Sequence, residues 1–257
     1  MANPWRALIS KELRESRWKL ILALALLGAT GAFLGPAYDW LLAMMPGLDT
    51  GALPEWLSGP LAMQLGNYRL YLWSNWYGKN LWQLVAILAA VYGAGLVAGE
   101  YGRGTGGFLF SKPVRRGTVL WTKFFVAWGI LAAAALAGTG LTLVGSGLAG
   151  RAVDGLWFTL GLPAATAGTG VVLGLALLFS VLTRDTVKAL GLTLLVLVAS
   201  FVVAIVPGLR PYTLFYRMAG GATLATGGVE WPAVLVMLAV ALALVRGAEV
   251  LLGRQDI

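Results

Sequence analysis

From Asn80 to Ala98 the chain carries no formal charge, and apolar runs of similar length recur along the sequence. About 20 apolar residues wound as an α-helix cross the roughly 30 Å of bilayer hydrocarbon. In lipid only helices and closed barrels satisfy their own backbone hydrogen bonds. Such runs leave the chain few other folds. They fall at about 20–36 (reaching Met45 if tilted), 80–98, 119–148, 156–182, 189–206 and 231–252. Composition points the same way: of 257 residues 59% are hydrophobic and only 12% charged, against about 25% charged in a soluble domain. The sequence therefore predicts an all-α membrane protein with six transmembrane helices in one domain, 1–257. Gly31 with Gly35, and Gly170 with Gly174, have the small-xxx-small spacing that lets helices approach closely in lipid.

Ahead of the first run, residues 2–18 read as an amphipathic helix, with Asn3 as cap and Pro4 in the first turn. Trp5, Leu8, Ile9 and Leu13 fall on one face, and Arg6, Ser10, Lys11, Arg14 and Arg17 on the other. That pattern suits an interfacial helix lying on anionic lipid. Glu12, Glu15 and the spans that follow argue against a cleaved leader. The region 37–79 is broken by Pro46, Pro54 and Pro60 but rich in aromatics: Tyr38, Trp40, Trp56, Tyr68, Tyr71, Trp73, Trp76 and Tyr77. We expect short helices there, at the outer interface, with the aromatics as an interfacial belt. A loop is expected over 207–230.

Cations set the orientation. With both termini cytoplasmic, Arg69, Lys79, Arg151, Arg210 and Arg217 lie outside, and the rest of the 19 lie inside. This places the connection from Gly99 to Lys123 in the cytoplasm. It is the most polar connection in the chain, with Arg103, Lys112, Arg115, Arg116 and Lys123 against Glu100. If its start is helical, Glu100 and Arg103 lie one turn apart and can pair. Gly104 and Thr105 make a close-packed, bendable joint, Pro113 redirects the chain, and Arg115 and Arg116 project outward. This is a candidate docking surface.

Several chemistries are excluded. The chain has no Cys and no His, so it has no thiol nucleophile, no disulfide and no imidazole base or ligand. No ionisable residue sits mid-span, where ion-coupled transporters keep theirs. The phosphate loop G-x-x-x-x-G-K-[ST] is absent: Gly78-Lys79 is followed by Asn80, and Trp73 stands where the first glycine belongs. ATP-driven work would need a separate subunit. We expect no metal site and no nucleic-acid partner; the net charge of +8 is assigned to anionic lipid and the docking surface.

The cytoplasmic connection resembles that of type 2 ABC transporter permeases. The resemblance is carried by Glu100, Gly104, Thr105, Phe108, Leu109, Ser111, Pro113, Val114, Arg116 and Lys123. Gly106 stands where a Leu is common, and Phe110 replaces a second Leu. The N-terminal amphipathic helix and the long first outer loop are also similar. The resemblance implies a permease with no catalysis of its own, in the plasma (inner) membrane of a prokaryote. ATP and Mg would be held by a partner ATPase subunit, and a second copy or a related permease would complete the channel. Glu100, Arg103, Gly104, Thr105, Pro113, Arg115 and Arg116 would form the coupling region. Arg184 and Asp185 would make a smaller contact.

The substrate class stays open. Export of a drug-like, lipid or other amphipathic molecule is favoured. Two alternatives are a permease like that of the copper-delivery system for nitrous oxide reductase, and a non-transporting scaffold that recruits a cytoplasmic partner. A membrane-embedded enzyme would need clustered acids or a nucleophile facing a cavity, and the sequence offers none.

Overall fold

The computed structural model describes residues 4–44, 62–104, 115–206 and 208–254, with side chains from Leu8 onward. Helix α1, Pro4–Glu15, runs through a turn at Ser16 into α2, Arg17–Met44. Backbone bonds from Ser16 to Glu12 and from Leu20 to Ser16 carry the chain through the junction. Pro36 lies inside α2. Proline removes one backbone bond, which transmembrane helices tolerate, so this span takes the longer of its two expected lengths.

Next come α3, Tyr68–Asn75, a π-helical segment, Trp76–Leu81, and α4, Trp82–Gly95. Asn67 caps α3 by accepting the Leu70 N–H at 3.2 Å. The chain is helical without interruption from Tyr68 to Gly95, which corrects the expected boundary at 80. It also corrects the aromatic belt. Tyr38, Tyr71, Trp73, Trp76 and Tyr77 are buried. Trp73 and Tyr77, four residues apart and so on one helix face, pack ring to ring at 4.7 Å. Tyr38 packs on Tyr71 at 4.7 Å. Trp40 stays exposed, as a belt residue would. Trp56, Pro46, Pro54 and Pro60 lie outside the described residues.

After a break at Leu96 and Val97, α5 is Ala98–Gly102 and α6 is Arg116–Leu148. Asp154 caps α7, Gly155–Thr159, accepting the Leu156 N–H at 2.9 Å. Helix α8 is Leu162–Thr183 and α9 is Thr186–Val203. The expected loop before the last span is instead a string of short helical pieces: a 3-10 turn at Arg210–Tyr212, α10 at Leu214–Met218 and α11 at Gly221–Thr226. Helix α12 is Trp231–Gly253.

Among the described residues, five helical stretches are long and apolar enough to cross a membrane: Arg17–Met44, Arg116–Leu148, Gly155–Thr183, Thr186–Val203 and Trp231–Gly253. Helix α4, at 14 residues, is shorter than a crossing by itself. No strand occurs among the described residues. Helix α8 stands at the centre, packed on α4, α6, α9 and α12. Helix α9 is peripheral: only Ala189, Thr193 and Leu197 are buried, a single stripe at four-residue spacing. The remaining apolar surface faces outward, as it must where the solvent is lipid.

In lipid the hydrophobic effect does not drive helices together, so close packing has to. Helices α2 and α6 pack along most of their lengths, and their seam is built from glycine. Gly31 rests on the Gly138 carbonyl, and Gly35 on the backbone of Gly145 and Ser146. A methyl group on Gly31 would also lie 2.6 Å from the Thr142 hydroxyl. Gly170 faces the Trp128 ring on α6, and Gly174 faces Ala241 on α12. All four glycines read from spacing therefore lie at helix contacts. Gly35→Leu is expected to cost more than about 1–3 kcal/mol through overpacking, seen as a lower Tm in detergent. Gly140 is exposed, with nothing near a built Cβ. Gly140→Leu should stay within about 0.5 kcal/mol of the parent.

Candidate functional site

At one end of the bundle the start of α6 meets α1, α5 and the end of α12. Lys123 lies on the face of α6 that also buries Val119, Leu120, Phe124 and Ala127, and only 4% of it is exposed. A lysine in that setting must be paired. Its ammonium contacts Glu12 on α1 at 3.0 Å and Glu100 on α5 at 2.9 Å. Both carboxylates are themselves buried. Glu100 is shared with Arg103, one turn on, at 3.2 Å. Of these four side chains Arg103 alone reaches water.

Lys19 borders the same junction. Its ammonium sits 5.2 Å from the Tyr92 ring centre, and Tyr92 donates its hydroxyl to the Lys19 carbonyl at 2.5 Å. Glu15, Ser16, Gly95 and Leu96 complete the walls of a polar space of about 60 Å³. That is room for a water molecule among many polar partners.

The break between α4 and α5 is mended from α8. The Ser180 hydroxyl accepts the N–H groups of Val97 at 3.2 Å and Ala98 at 2.8 Å, and donates to the Ala94 carbonyl at 2.7 Å. One turn further, the Arg184 guanidinium lies 5.1 Å from the centre of the Tyr101 ring. Arg184 takes a left-handed conformation, φ 51°, which turns the chain from α8 into α9. Asp185 then caps α9, accepting N–H groups of Val187 at 2.9 Å and Lys188 at 3.0 Å. The Lys188 N–H foremost holds the Asp185 carboxyl below its usual range.

The start of α6 is also tied to the end of α12. Trp121 donates to Glu249 at 3.0 Å, Arg246 pairs with the same carboxylate, and Glu249 packs against Gly117. Arg116 donates to the Leu252 carbonyl at 3.5 Å and is partly buried. The expectation that both arginines project outward therefore holds for Arg115, which is exposed, and is corrected for Arg116. Gly104 is corrected too. It is exposed, with nothing near a built Cβ. Its glycine serves a positive φ of 71°, which L side chains resist, and not close packing. Thr105 and Pro113 lie outside the described residues. On α1, Leu8 is half-buried while Ile9 and Leu13 are exposed. The Trp5 side chain lies outside the described residues.

The structure thus brings Glu100, Arg103, Arg184 and Asp185 to one end and adds residues that sequence reasoning did not assign: Glu12, Ser180 and Glu249. Lys123 was the available signal. It is flanked by Val119, Leu120, Phe124 and Phe125, and a cation there demands a partner. No signal marked Ser180.

A family model described as "ABC-2 family transporter protein" matches residues 7–257. This chain belongs to the ABC-2 transporter family. It is a type 2 ABC transporter permease, a multi-pass membrane protein and a transport component of a kind generally not itself catalytic. Membership implies an ATP-binding-cassette ATPase as partner, commonly with a second permease copy. No curated protein matched the sequence. In this permease Gly104 and Arg115, both exposed, flank residues 105–114, which lie outside the described residues.

Removing the central cation should expose the logic of that junction. Lys123→Met takes the shared ammonium away from two buried carboxylates, leaving Glu100 its Arg103 contact, and is expected to cost about 3–5 kcal/mol, read as a fall in Tm in detergent. Trypsin should then cut faster beside Lys11 and Arg14. Adding Glu12→Gln and Glu100→Gln to Lys123→Met should restore much of the loss.

Proposed function

We propose that this permease exports an amphipathic, drug-like or lipid substrate, and that an ATPase docked on the polar connection drives it through the ionic junction. The observation that carries the reading is Lys123 bonded at once to Glu12 and Glu100. Three chain segments that sequence separates are fixed there as one body: the N-terminal helix, the turn after α4 and the head of α6. Ser180 ties the same turn to α8. A push on the connection between Gly104 and Arg115 would reach α1, α6 and α8 together, a rigid-element transmission of the kind switching proteins use.

The same reading sets the membrane frame. The Lys123 end is cytoplasmic because most cations gather there, and both termini follow it. The membrane is the inner membrane of a prokaryote. The helical stretch Tyr68–Gly95 supplies the sixth crossing, despite its π segment. Helix α1 is the interfacial elbow: Ile9 and Leu13 meet lipid while Glu12 faces the bundle. A second copy completes the pathway. ATP and Mg stay on the partner. A copper-delivery role finds no Cys or His in the chain, which leaves only methionine among the soft ligands.

Purification from native membranes in mild detergent tests the docking surface. An ATP-binding-cassette ATPase should co-purify. Arg115→Glu should weaken that capture about tenfold, on the order of 1.4 kcal/mol, with the permease Tm unchanged. Undiminished capture by the variant would place docking elsewhere. Co-purification without ATP-dependent transport in vesicles would favour the scaffold.

A further inference from the structure

At the end of the bundle opposite Lys123, α8, α10 and the start of α12 line an open cavity of about 550 Å³, within the roughly 300–1,000 Å³ of small-molecule sites. Its floor is apolar, formed by Val171, Met237 and Val240. Its mouth is not. Arg217 on α10 and Glu230, the residue that precedes α12, line it as an ion pair at 2.9 Å, each about a quarter exposed. Among the described residues Arg217 spends only one terminal nitrogen on that carboxylate, so its other donors point to no protein partner. Trp231, at the start of α12, is exposed, and tryptophan is a residue that favours the headgroup level.

Pro232 to Val240 rises about 12 Å, less than half the hydrocarbon thickness, so the cavity lies within one leaflet. Val236 and Val240 line it and remain 63% and 43% exposed, so it opens sideways to lipid. A greasy slot that opens to the bilayer and carries one charge of each sign at headgroup height matches a molecule of the same pattern. An anionic headgroup would meet repulsion from Glu230. A zwitterionic one satisfies both charges.

We propose that this cavity is a binding site for a zwitterionic phospholipid of the surrounding leaflet. One acyl chain lies along Met237 and Val240, the phosphate on Arg217 and the ammonium on Glu230. The site lies away from the ionic junction and requires no transport, so failure of the exporter reading would leave it standing.

Native mass spectrometry tests it. The full chain is reconstituted with equal phosphatidylethanolamine and phosphatidylglycerol, then released into mild detergent. One phosphatidylethanolamine per chain should be retained, favoured about tenfold over phosphatidylglycerol. Val240→Trp, which fills the floor, should cut retention about tenfold without lowering Tm. If that variant fails to fold, Ala233→Leu on the same wall replaces it. Arg217→Gln with Glu230→Gln should abolish the preference between the two lipids. Equal retention of both lipids by the parent, or retention unchanged by the filled cavity, would overturn the site.

Discussion

A lysine ammonium buried in a membrane bundle has to be neutralised where it stands, and here that requirement decides which segments meet. Lys123 draws Glu12 from the N-terminal helix and Glu100 from the turn after α4. Neither partner is near it in sequence, and both are buried beside it. A hydrophobic contact could hold these segments as tightly. An ionic one adds direction, because each carboxylate has one place to be. The N-terminal helix can therefore lay Ile9 and Leu13 outward while its acidic residue points into the protein.

The rest of the bundle is held by shape. Glycine-to-backbone contact joins α2 to α6, and α8 fills the centre among α4, α6, α9 and α12. Polar side chains act where the helices are imperfect: Ser180 at the break after Gly95, Asp185 at the start of α9, Asn67 at the start of α3. Each satisfies backbone groups that lipid could not. The imperfect points cluster at the two ends of the bundle, where water and partners are within reach.

Much of this was legible in the sequence, for physical reasons. Five of the six apolar runs marked helices long enough to cross, because hydrocarbon thickness demands such runs. Gly31 with Gly35 marked a true seam, and Glu100 with Arg103 a true ion pair. What misled was side-chain ambiguity. Trp73, Trp76 and Tyr77 have the amphipathic rings of interface residues, and the same rings fill a core equally well; the three- and four-residue steps from Trp73 to the other two were the better guide. Arg116 looked like a free surface cation because its partner, the Leu252 carbonyl, lies far along the chain. Glu12 was invisible for the same reason: helical periodicity assigns faces but does not say which neighbour a face will meet.

The α2–α6 seam also constrains how the permease can change over evolutionary time. Where Gly31 faces Gly138 and Gly35 faces Gly145, both sides already carry the smallest side chain there is. In an ordinary core a residue that grows on one helix can be accommodated by one that shrinks on the other. Here the contacts are to the Gly138 and Gly145 backbone, which cannot shrink, whatever replaces the Thr142 side chain beside Gly31. Every substitution at these positions adds volume, and no second-site change on the facing helix can give it back. The seam sits at a floor of side-chain size, so drift in this family member must pass through its lipid-facing surfaces and leave the seam alone.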